Sequence, residues 1–330
     1  MALPRVIVTD FIAEPLDIER RILGDAAEVV ALGAMSEAEL DGRIEDAAAI
    51  MLYHFISLTR TTIERLRNCK LIVRCGVGFD NVDRAAAREC GIAVANVPDY
   101  GSEEVADSAI GMLLSLTRGI HFLQQRLHAK GGPWIYSQAR PLHRLRGRTL
   151  GILGVGRIGI ATALRAKALG LHVIFHDPYA ADGTDKALGI ERVESLRELL
   201  ERSNIVSLHT PLTTETRHII NHETIGWMRP GSFLINTARG GVVDAAAVLA
   251  GIESGQLAGA GLDVLEVEPP RDDDPLLVAW RDPAHPAHDR LILNPHAAFY
   301  SEEGLGDMRI KGSENCRRVL RGEQPRNVVN

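Results

Sequence analysis

Gly151-Ile152-Leu153-Gly154-Val155-Gly156-Arg157-Ile158-Gly159 is the stretch on which the reading of this 330-residue chain turns. It sets a GxGxxG pattern between a short apolar run, Thr149–Leu153, and helical spacing at Ile160, Leu164 and Ala168. A second apolar run, His172–His176, follows, and Asp177 ends it 18 residues after Gly159. Alone the glycines are a weak signal; between a strand and a helix, with an acidic residue closing the next strand, they describe a dinucleotide-binding turn. Gly154 permits the tight turn, Gly156 lets backbone approach a pyrophosphate, and Gly159 allows close packing of helix on strand. The N–H groups that open the helix, at Arg157 and Ile158, face anionic oxygens. Asp177 accepts hydrogen bonds from ribose hydroxyls and repels a 2′-phosphate, and neither Pro178 nor Tyr179 supplies a rescuing cation, so NAD is expected rather than NADP.

Outward from this turn, short β-branched runs alternate with helical patterns along nearly the whole chain, the pattern of parallel sheets covered by helices. One series comprises Arg5–Thr9, Glu28–Leu32, Ala49–Tyr53, Leu71–Cys75 and Ile92–Ala95, with helices at Leu16–Leu23 and Thr61–Asn68. The other runs through Thr149–Leu153, His172–His176, Ile205–His209, Phe233–Asn236, Gly259–Val264 and Leu291–Leu293. Two doubly wound α/β domains are expected. Between them Val105, Ala109, Met112, Leu113, Leu116, Ile120 and Leu123 share a helical face, with Ser102 as its N-cap. Pro269 to Pro295, with six prolines, reads as a long irregular loop.

Composition narrows the function classes. The chain carries 37 Lys and Arg against 43 Asp and Glu, a net charge of -6, with no global basic footprint for nucleic acid or an anionic membrane. No apolar run approaches the ~18 residues of a membrane helix, and MALPRVIVTD lacks the build of a signal peptide. Cys69, Cys75, Cys90 and Cys316 show neither metal-site nor disulfide-scaffold spacing, which suits a reducing cytoplasm. No metal is expected, and His285 with His288 reads as loop solvation.

Three polar residues lie just past strand ends of the second series, where ligands bind in such sheets: Arg239, Glu268 and His296. Reducing a 2-keto acid needs a cation for the carboxylate and carbonyl, and an acid to protonate the new alkoxide. Arg239 offers a planar fork for the first task, and His296, whose imidazole can give or take a proton, suits the second. Glu268 suits the task of fixing the imidazole tautomer and stabilising its charged form.

Together these segments carry a family resemblance over essentially the whole chain. Cys75-Gly76-Val77-Gly78-Phe79-Asp80-Asn81-Val82-Asp83, Asn96-Val97-Pro98, His209-Thr210-Pro211-Leu212-Thr213, Asn236-Thr237-Ala238-Arg239-Gly240-Gly241, Gly261-Leu262-Asp263-Val264, Glu268-Pro269 and Asn294-Pro295-His296-Ala297-Ala298 resemble the D-isomer-specific 2-hydroxyacid dehydrogenases. The resemblance implies that Arg239 binds substrate, that Glu268 pairs with His296, and that His296 is the acid/base. Thr210, Pro211, Thr216, Thr237, Ala238, Arg239, Asp263 and His296 would contact NAD beside the glycine turn. Gly76, Val77 and Gly78 would reach a small 2-hydroxy or 2-keto acid, together with Arg239, His296 and Phe299. It further implies a Rossmann NAD-binding domain over 100–296, a discontinuous flavodoxin-like substrate domain over 1–99 plus 297–330, and a homodimer joined by the helix beginning near Ser102. No regulatory domain of the kind found on longer phosphoglycerate dehydrogenases is expected past the last helix.

Within the family, Asp177-Pro178-Tyr179, Ala187-Leu188-Gly189 and Ala297-Ala298-Phe299-Tyr300-Ser301 are most similar to the C-terminal-binding protein branch of corepressors. The chain departs from it with Phe299 for a tryptophan, Val77 for a serine and Pro211 for a glycine. A metabolic dehydrogenase is the expectation. Its rivals are an NADH-responsive peptide-binding protein and a formate or phosphite dehydrogenase on the same scaffold, which turnover against a substrate panel separates.

Overall fold

The computed structural model describes residues 3–129, 132–139 and 141–330. The chain divides into two compact units, Met1–Gly101 with Ser301–Asn330, and Ser102–Tyr300. Each is built on one wholly parallel sheet.

In the first unit β1 (Arg5–Val8), β2 (Glu28–Ala31), β3 (Ala47–Leu52), β4 (Leu71–Arg74) and β5 (Ala93–Asn96) take the order β2-β1-β3-β4-β5. That order is flavodoxin-like. Buried Ile7, Ile50, Leu52, Ile72 and Val94 fill one face of the sheet. The terminal helix Glu302–Leu320 packs on the helix Asp17–Leu23, where Arg309 forms a two-pronged pair at 2.7 and 2.6 Å with the fully buried Glu19 carboxylate. Removing either partner would leave a buried charge, the expensive half of such a pair.

In the second unit β6 (Thr149–Leu153), β7 (His172–His176), β8 (Glu191–Arg192), β9 (Ile205–Leu208), β10 (Ser232–Asn236), β11 (Leu257–Leu262) and β12 (Leu291–Leu293) take the order β12-β11-β10-β9-β6-β7-β8. The strand order reverses between β6 and β9, so the crevice above their carboxyl ends is the topological switch point where ligands bind. The central strands are buried on both faces, which is why they read as continuous apolar runs rather than alternating ones.

The structure corrects four local expectations. The helix after Ser102 starts at that residue, whose buried hydroxyl makes no hydrogen bond among the described residues, so Ser102 is no cap. It ends at Arg118, because Gly119 turns left-handed at φ 64° and starts a second helix, Ile120–His128; the apolar stripe therefore stops at Leu116, and Ile120 is 57 % exposed. Thr61–Asn68 is helical only over Arg60–Ile63, because the N–H groups of Arg67 and Lys70 are taken by the carbonyls of Glu45 and Ala48. Pro269 to Pro295 is partly ordered: Asp274 caps the helix Pro275–Arg281, with Pro275 at the first position, where its missing N–H costs nothing. The two-residue β8 is too short to carry a pattern in sequence. Among the described residues no helix is long and apolar enough to cross a membrane.

Candidate functional site

The glycine turn shows why each glycine stands where it does. Gly154 adopts φ 90°, and a Cβ there would lie 2.9 Å from the carbonyl carbon and oxygen of His209. At Gly159 a Cβ would come within 2.1 Å of the Gly154 carbonyl oxygen, so helix and turn touch backbone to backbone. Gly156 is the opposite case: a Cβ would meet nothing within 4 Å, and the backbone is exposed. Gly156 also precedes the helix Arg157–Ala168 without a side-chain cap, so the N–H groups of Arg157 and Ile158 open onto solvent-accessible space.

Asp177 is fastened to this turn. Its carboxylate accepts from the Val155 N–H at 2.9 Å and from the Tyr179 N–H at 2.9 Å. Arg192, carried on β8 and absent from the sequence reading, donates at 3.4 Å to the carbonyl oxygens of Asp177 and Ala180 and lies 3.5 Å from Asp182. A cation thus stands beside the acidic turn after all, brought in by the neighbouring strand. The Tyr179 hydroxyl donates to Glu215 at 2.7 Å. Since β6 lies between β7 and β9, this bond joins the loops on either side of the glycine turn. On the far loop the Thr216 hydroxyl donates to the Pro211 carbonyl at 2.6 Å and accepts from the Thr213 N–H at 2.8 Å, so Thr216 braces the backbone around Pro211.

Buried polar atoms at these strand ends test whether a dinucleotide fits. Thr210 Oγ1, Thr237 Oγ1 and His209 Nδ1 are buried and have no hydrogen-bond partner among the described residues. Native proteins rarely leave such groups unsatisfied, and a ligand rich in hydroxyl, amide and phosphate groups answers them. Full burial holds the His209 imidazole down at about 3, so it is neutral at physiological pH and its Nε2 pairs with the Ser207 hydroxyl at 2.9 Å. The open face at Gly156 and these three atoms fit NAD.

Arg239, Glu268 and His296 stand past the ends of three consecutive strands, β10, β11 and β12. Asn236, fully buried, shapes the first loop: its side-chain amide donates to the Arg239 carbonyl at 2.9 Å and its oxygen accepts from the Ala238 N–H at 3.0 Å. The Arg239 guanidinium donates to the Ala238 carbonyl at 2.8 Å. Gly240 lets the next loop approach: a Cβ there would lie 1.9 Å from the Leu265 carbonyl carbon.

Glu268 Oε1 accepts from the Leu265 N–H at 2.8 Å, and Oε2 meets His296 Nδ1 at 2.7 Å. A carboxylate can only accept, so Nδ1 carries the proton and Nε2 is the nitrogen that gains or loses one. His296 holds a left-handed φ of 53°. For a bulky residue that conformation costs about 1–3 kcal/mol and persists only where its surroundings impose it. Asp263 imposes it: its carbonyl accepts from the His296 N–H at 2.7 Å, and its carboxylate from the Ala297 and Ala298 N–H groups at 2.9 Å each. Burial pushes the Asp263 carboxyl up, while those N–H donors and His296 pull it down. Asp263 therefore also fastens the histidine segment, a task its place in the motif did not reveal. Phe299 is brought to His296 edge-on, with ring centroids 6.2 Å apart.

In the first unit Gly76 has φ 152°, and a Cβ there would fall 1.5 Å from Arg74 Nη1. Gly76 thus makes room for the buried Arg74 guanidinium, which donates to the Cys75 carbonyl at 3.0 Å and to His54 Nδ1 at 3.2 Å. The Val77 carbonyl accepts from the Asn96 side chain at 2.7 Å, holding Gly76 to Gly78 at the ends of β4 and β5. The apolar strand β4 gave no reason to single out Arg74 at its last position. His285 and His288 are tied into local contacts with Glu253 at 3.0 Å and with the Trp280 carbonyl at 2.8 Å. Among the described residues no group of three or more His, Cys, Asp or Glu could hold a metal ion.

Comparison with known proteins agrees with this geometry. Residues 110–298 match the family model described as D-isomer specific 2-hydroxyacid dehydrogenase, NAD binding domain. The chain is 37 % identical over 326 residues to D-3-phosphoglycerate dehydrogenase of Methanocaldococcus jannaschii, a match covering 99 % of this chain and 59 % of that protein. It is 35 % identical over 324 residues to C-terminal-binding protein 1 of Caenorhabditis elegans, covering 94 % of this chain and 43 % of that one. It thus spans about half the length of these curated relatives. The D-lactate dehydrogenase of Aquifex aeolicus, solved with NAD and lactic acid, superposes with a TM-score of 0.85 at 29 % identity, covering 96 % of each chain. With two parallel α/β units, a glycine turn closed by an acidic residue and a paired glutamate and histidine, the chain belongs to the D-isomer specific 2-hydroxyacid dehydrogenase family.

Proposed function

We propose that the protein is an NAD-dependent D-2-hydroxyacid dehydrogenase, reducing a small 2-keto acid with His296 as acid/base. The observation that carries this reading is the 2.7 Å contact between Glu268 and His296 Nδ1, which leaves Nε2 as the proton-transferring nitrogen. Bound NADH supplies the hydride that adds to C2. Arg239 holds the carboxylate through its guanidinium fork and polarises the carbonyl. His296 Nε2 gives its proton to the carbonyl oxygen as that oxygen becomes a hydroxyl, and Glu268 stabilises the imidazolium before transfer. In the reverse direction Nε2 takes the hydroxyl proton. Gly76, Val77, Gly78 and Phe299 are the further substrate contacts in this reading. Thr210, Pro211, Thr237, Ala238 and Asp263 line the dinucleotide with the glycine turn.

The test is NADH oxidation against pyruvate, glyoxylate, hydroxypyruvate, 3-phosphohydroxypyruvate and larger 2-keto acids, with formate and phosphite in the opposite direction. Turnover confined to formate or phosphite, or NADH binding without any turnover, would overturn the reading in favour of its rivals.

NAD is the cofactor this reading favours over NADP, because the Asp177 carboxylate sits on the turn and repels a 2′-phosphate. Wild type is expected to prefer NADH in kcat/KM. Asp177→Ala should lose that discrimination, the more readily because Arg192 already lies against the same backbone. Equal use of both cofactors by wild type would contradict the assignment. A homodimer belongs to the same reading, supported by exposed apolar residues that follow the long helix, on the next helix and beyond it: Ile120 at 57 %, Trp134 at 89 % and Tyr136 at 71 %. Sedimentation should give twice the 36.0 kDa chain mass, and a concentration-independent monomer would refute it.

A further inference from the structure

We propose that Glu266, gripped by Arg217 and His218, is a positioning residue for the catalytic pair: it moors the loop that carries Glu268, and so places the carboxylate that orients His296. The proposal rests on the reductase reading above and adds to it a residue that acts through Glu268.

The loop from Val264 to Glu268 has little of its own to hold it. It follows β11 as irregular chain, and among the described residues none of its N–H or carbonyl groups makes a backbone–backbone hydrogen bond. The Leu265 N–H is taken by Glu268 itself, a bond inside the loop that fixes its shape but not its place. Val264 is buried and Leu265 packs against the core, whereas Val267 is 60 % exposed, so apolar burial holds the start of the loop and ends before Glu268.

Glu266 supplies the outside contact. Its Oε1 accepts from Arg217 Nη1 at 3.0 Å and its Oε2 from His218 Nε2 at 3.0 Å. Arg217 and His218 lie in the segment after β9, and β10 separates β9 from β11 in the sheet. The mooring therefore spans the loop past β10, which carries Arg239. Both donors touch that loop as well: the His218 N–H donates to the Gly241 carbonyl at 2.9 Å, and a Cβ at Gly241 would lie 3.4 Å from Arg217 Nη1. One pair of residues thus sets the Arg239 loop and the Glu268 loop against each other.

His218 is strained in the same way as His296. It holds a left-handed φ of 48°, which a bulky residue keeps only where its surroundings impose it. Here its N–H is tied to Gly241, its carbonyl accepts from the Asn221 side chain at 2.9 Å, and its ring is tied to Glu266. The three charged groups are exposed, and exposed ion pairs contribute little to stability. Placement of a catalytic group is far more sensitive, since a shift of about 1 Å can cost around 10²-fold in rate. The mooring should matter to turnover and hardly to folding.

The test uses the full chain with NADH and the 2-keto acid it reduces fastest. Glu266→Ala is expected to lower kcat by about tenfold with little change in KM or Tm. The basic limb of the profile should move to lower pH, because Glu268 no longer keeps its place against His296, while Asp263 retains its own N–H donors. Glu266→Gln is the rescue: its oxygen accepts from Arg217 and its NH2 donates to the other tautomer of His218, so kcat and limb should return close to wild type. Arg217→Met should show part of the alanine defect, and combining it with Glu266→Ala should add nothing. Nitrogen-15 NMR of the His296 ring, assigned by its loss in His296→Gln, reads the mooring without turnover. Its Nδ1–H resonance should be sharp in wild type and Glu266→Gln and broadened by exchange with water in Glu266→Ala. That pattern, with no turnover of any keto acid, would support the mooring and overturn the reductase reading. A wild-type profile and resonance in Glu266→Ala, or a limb moved as far by Glu266→Gln as by Glu266→Ala, would overturn the mooring and leave the reductase standing.

Discussion

Replacing His296 by glutamine is expected to lower kcat for keto-acid reduction by about 10²–10⁴-fold, the usual contribution of a positioned general acid, with NADH affinity largely retained. Glutamine keeps the approximate size of the ring and can still hydrogen-bond Glu268, but it has no proton to give at the position of Nε2. The dinucleotide contacts proposed for Gly156, Asp177 and Thr210 lie on other strand ends and are left in place. Glu268→Gln removes the charge and keeps the shape of the side chain. An amide at residue 268 can still accept from His296 Nδ1, now 2.7 Å from one carboxylate oxygen, but its NH2 then faces the Leu265 N–H that the other oxygen now accepts from, and that bond is lost. Nor can the amide stabilise an imidazolium by charge. Reduction needs the protonated imidazole, so the basic limb of its kcat/KM profile should move to lower pH, while oxidation, which needs the neutral ring, suffers less. Pre-steady-state NADH binding and pH–rate profiles in both directions measure this. An unmoved limb in Glu268→Gln would disprove the electrostatic part of the pairing.

Gly240→Ala is expected to be nearly as damaging, although Gly240 has no chemistry of its own. Its added Cβ would lie 1.9 Å from the Leu265 carbonyl carbon and 2.3 Å from the Glu266 nitrogen, and backbone cannot rotate away as a side chain would. The loop from Leu265 to Glu268 must shift, and with it both the N–H that orients Glu268 and the carboxylate that orients His296. Displacement of about 1 Å at a catalytic group can cost around 10²-fold, so kcat/KM should fall by that order. Stability should fall by about 1–3 kcal/mol, the usual cost of overpacking. Gly226→Ala is the matched control: a Cβ there meets nothing within 4 Å, and the position is in the helix His222–Trp227, where alanine is favoured. Urea unfolding and steady-state kinetics of the two variants decide the matter. Equal behaviour would show that the Leu265 loop yields freely.

Local chemistry carried much of this protein in its sequence. Glycines at 154, 156 and 159 between an apolar run and a helical period, with Asp177 closing the next run, define a dinucleotide turn because each position answers a short-range steric or hydrogen-bonding demand. Long apolar runs mark strands buried on both faces, and the ordered Arg239, Glu268 and His296 motifs mark the family. Tertiary structure alone decided what depends on neighbours far away in the chain. Arg192 stands beside Asp177 because β8 pairs with β7, and Asp263 fastens the strained His296 segment because β12 lies next to β11. Gly76 is required by the Arg74 guanidinium two residues away, a clash visible only once the side chain has folded back over the turn. Gly119, one residue in an otherwise helical pattern, broke a stripe that periodicity alone ran straight through, because its left-handed backbone redirects every residue that follows. Glu266 meets Arg217 and His218, 49 and 48 positions earlier and unremarked in any motif, only because β9 and β11 flank β10 in the sheet. Periodicity and motif spacing report what each residue owes to its near neighbours in the chain; which strand ends share a crevice is set by sheet order, and sheet order is a property of the whole fold.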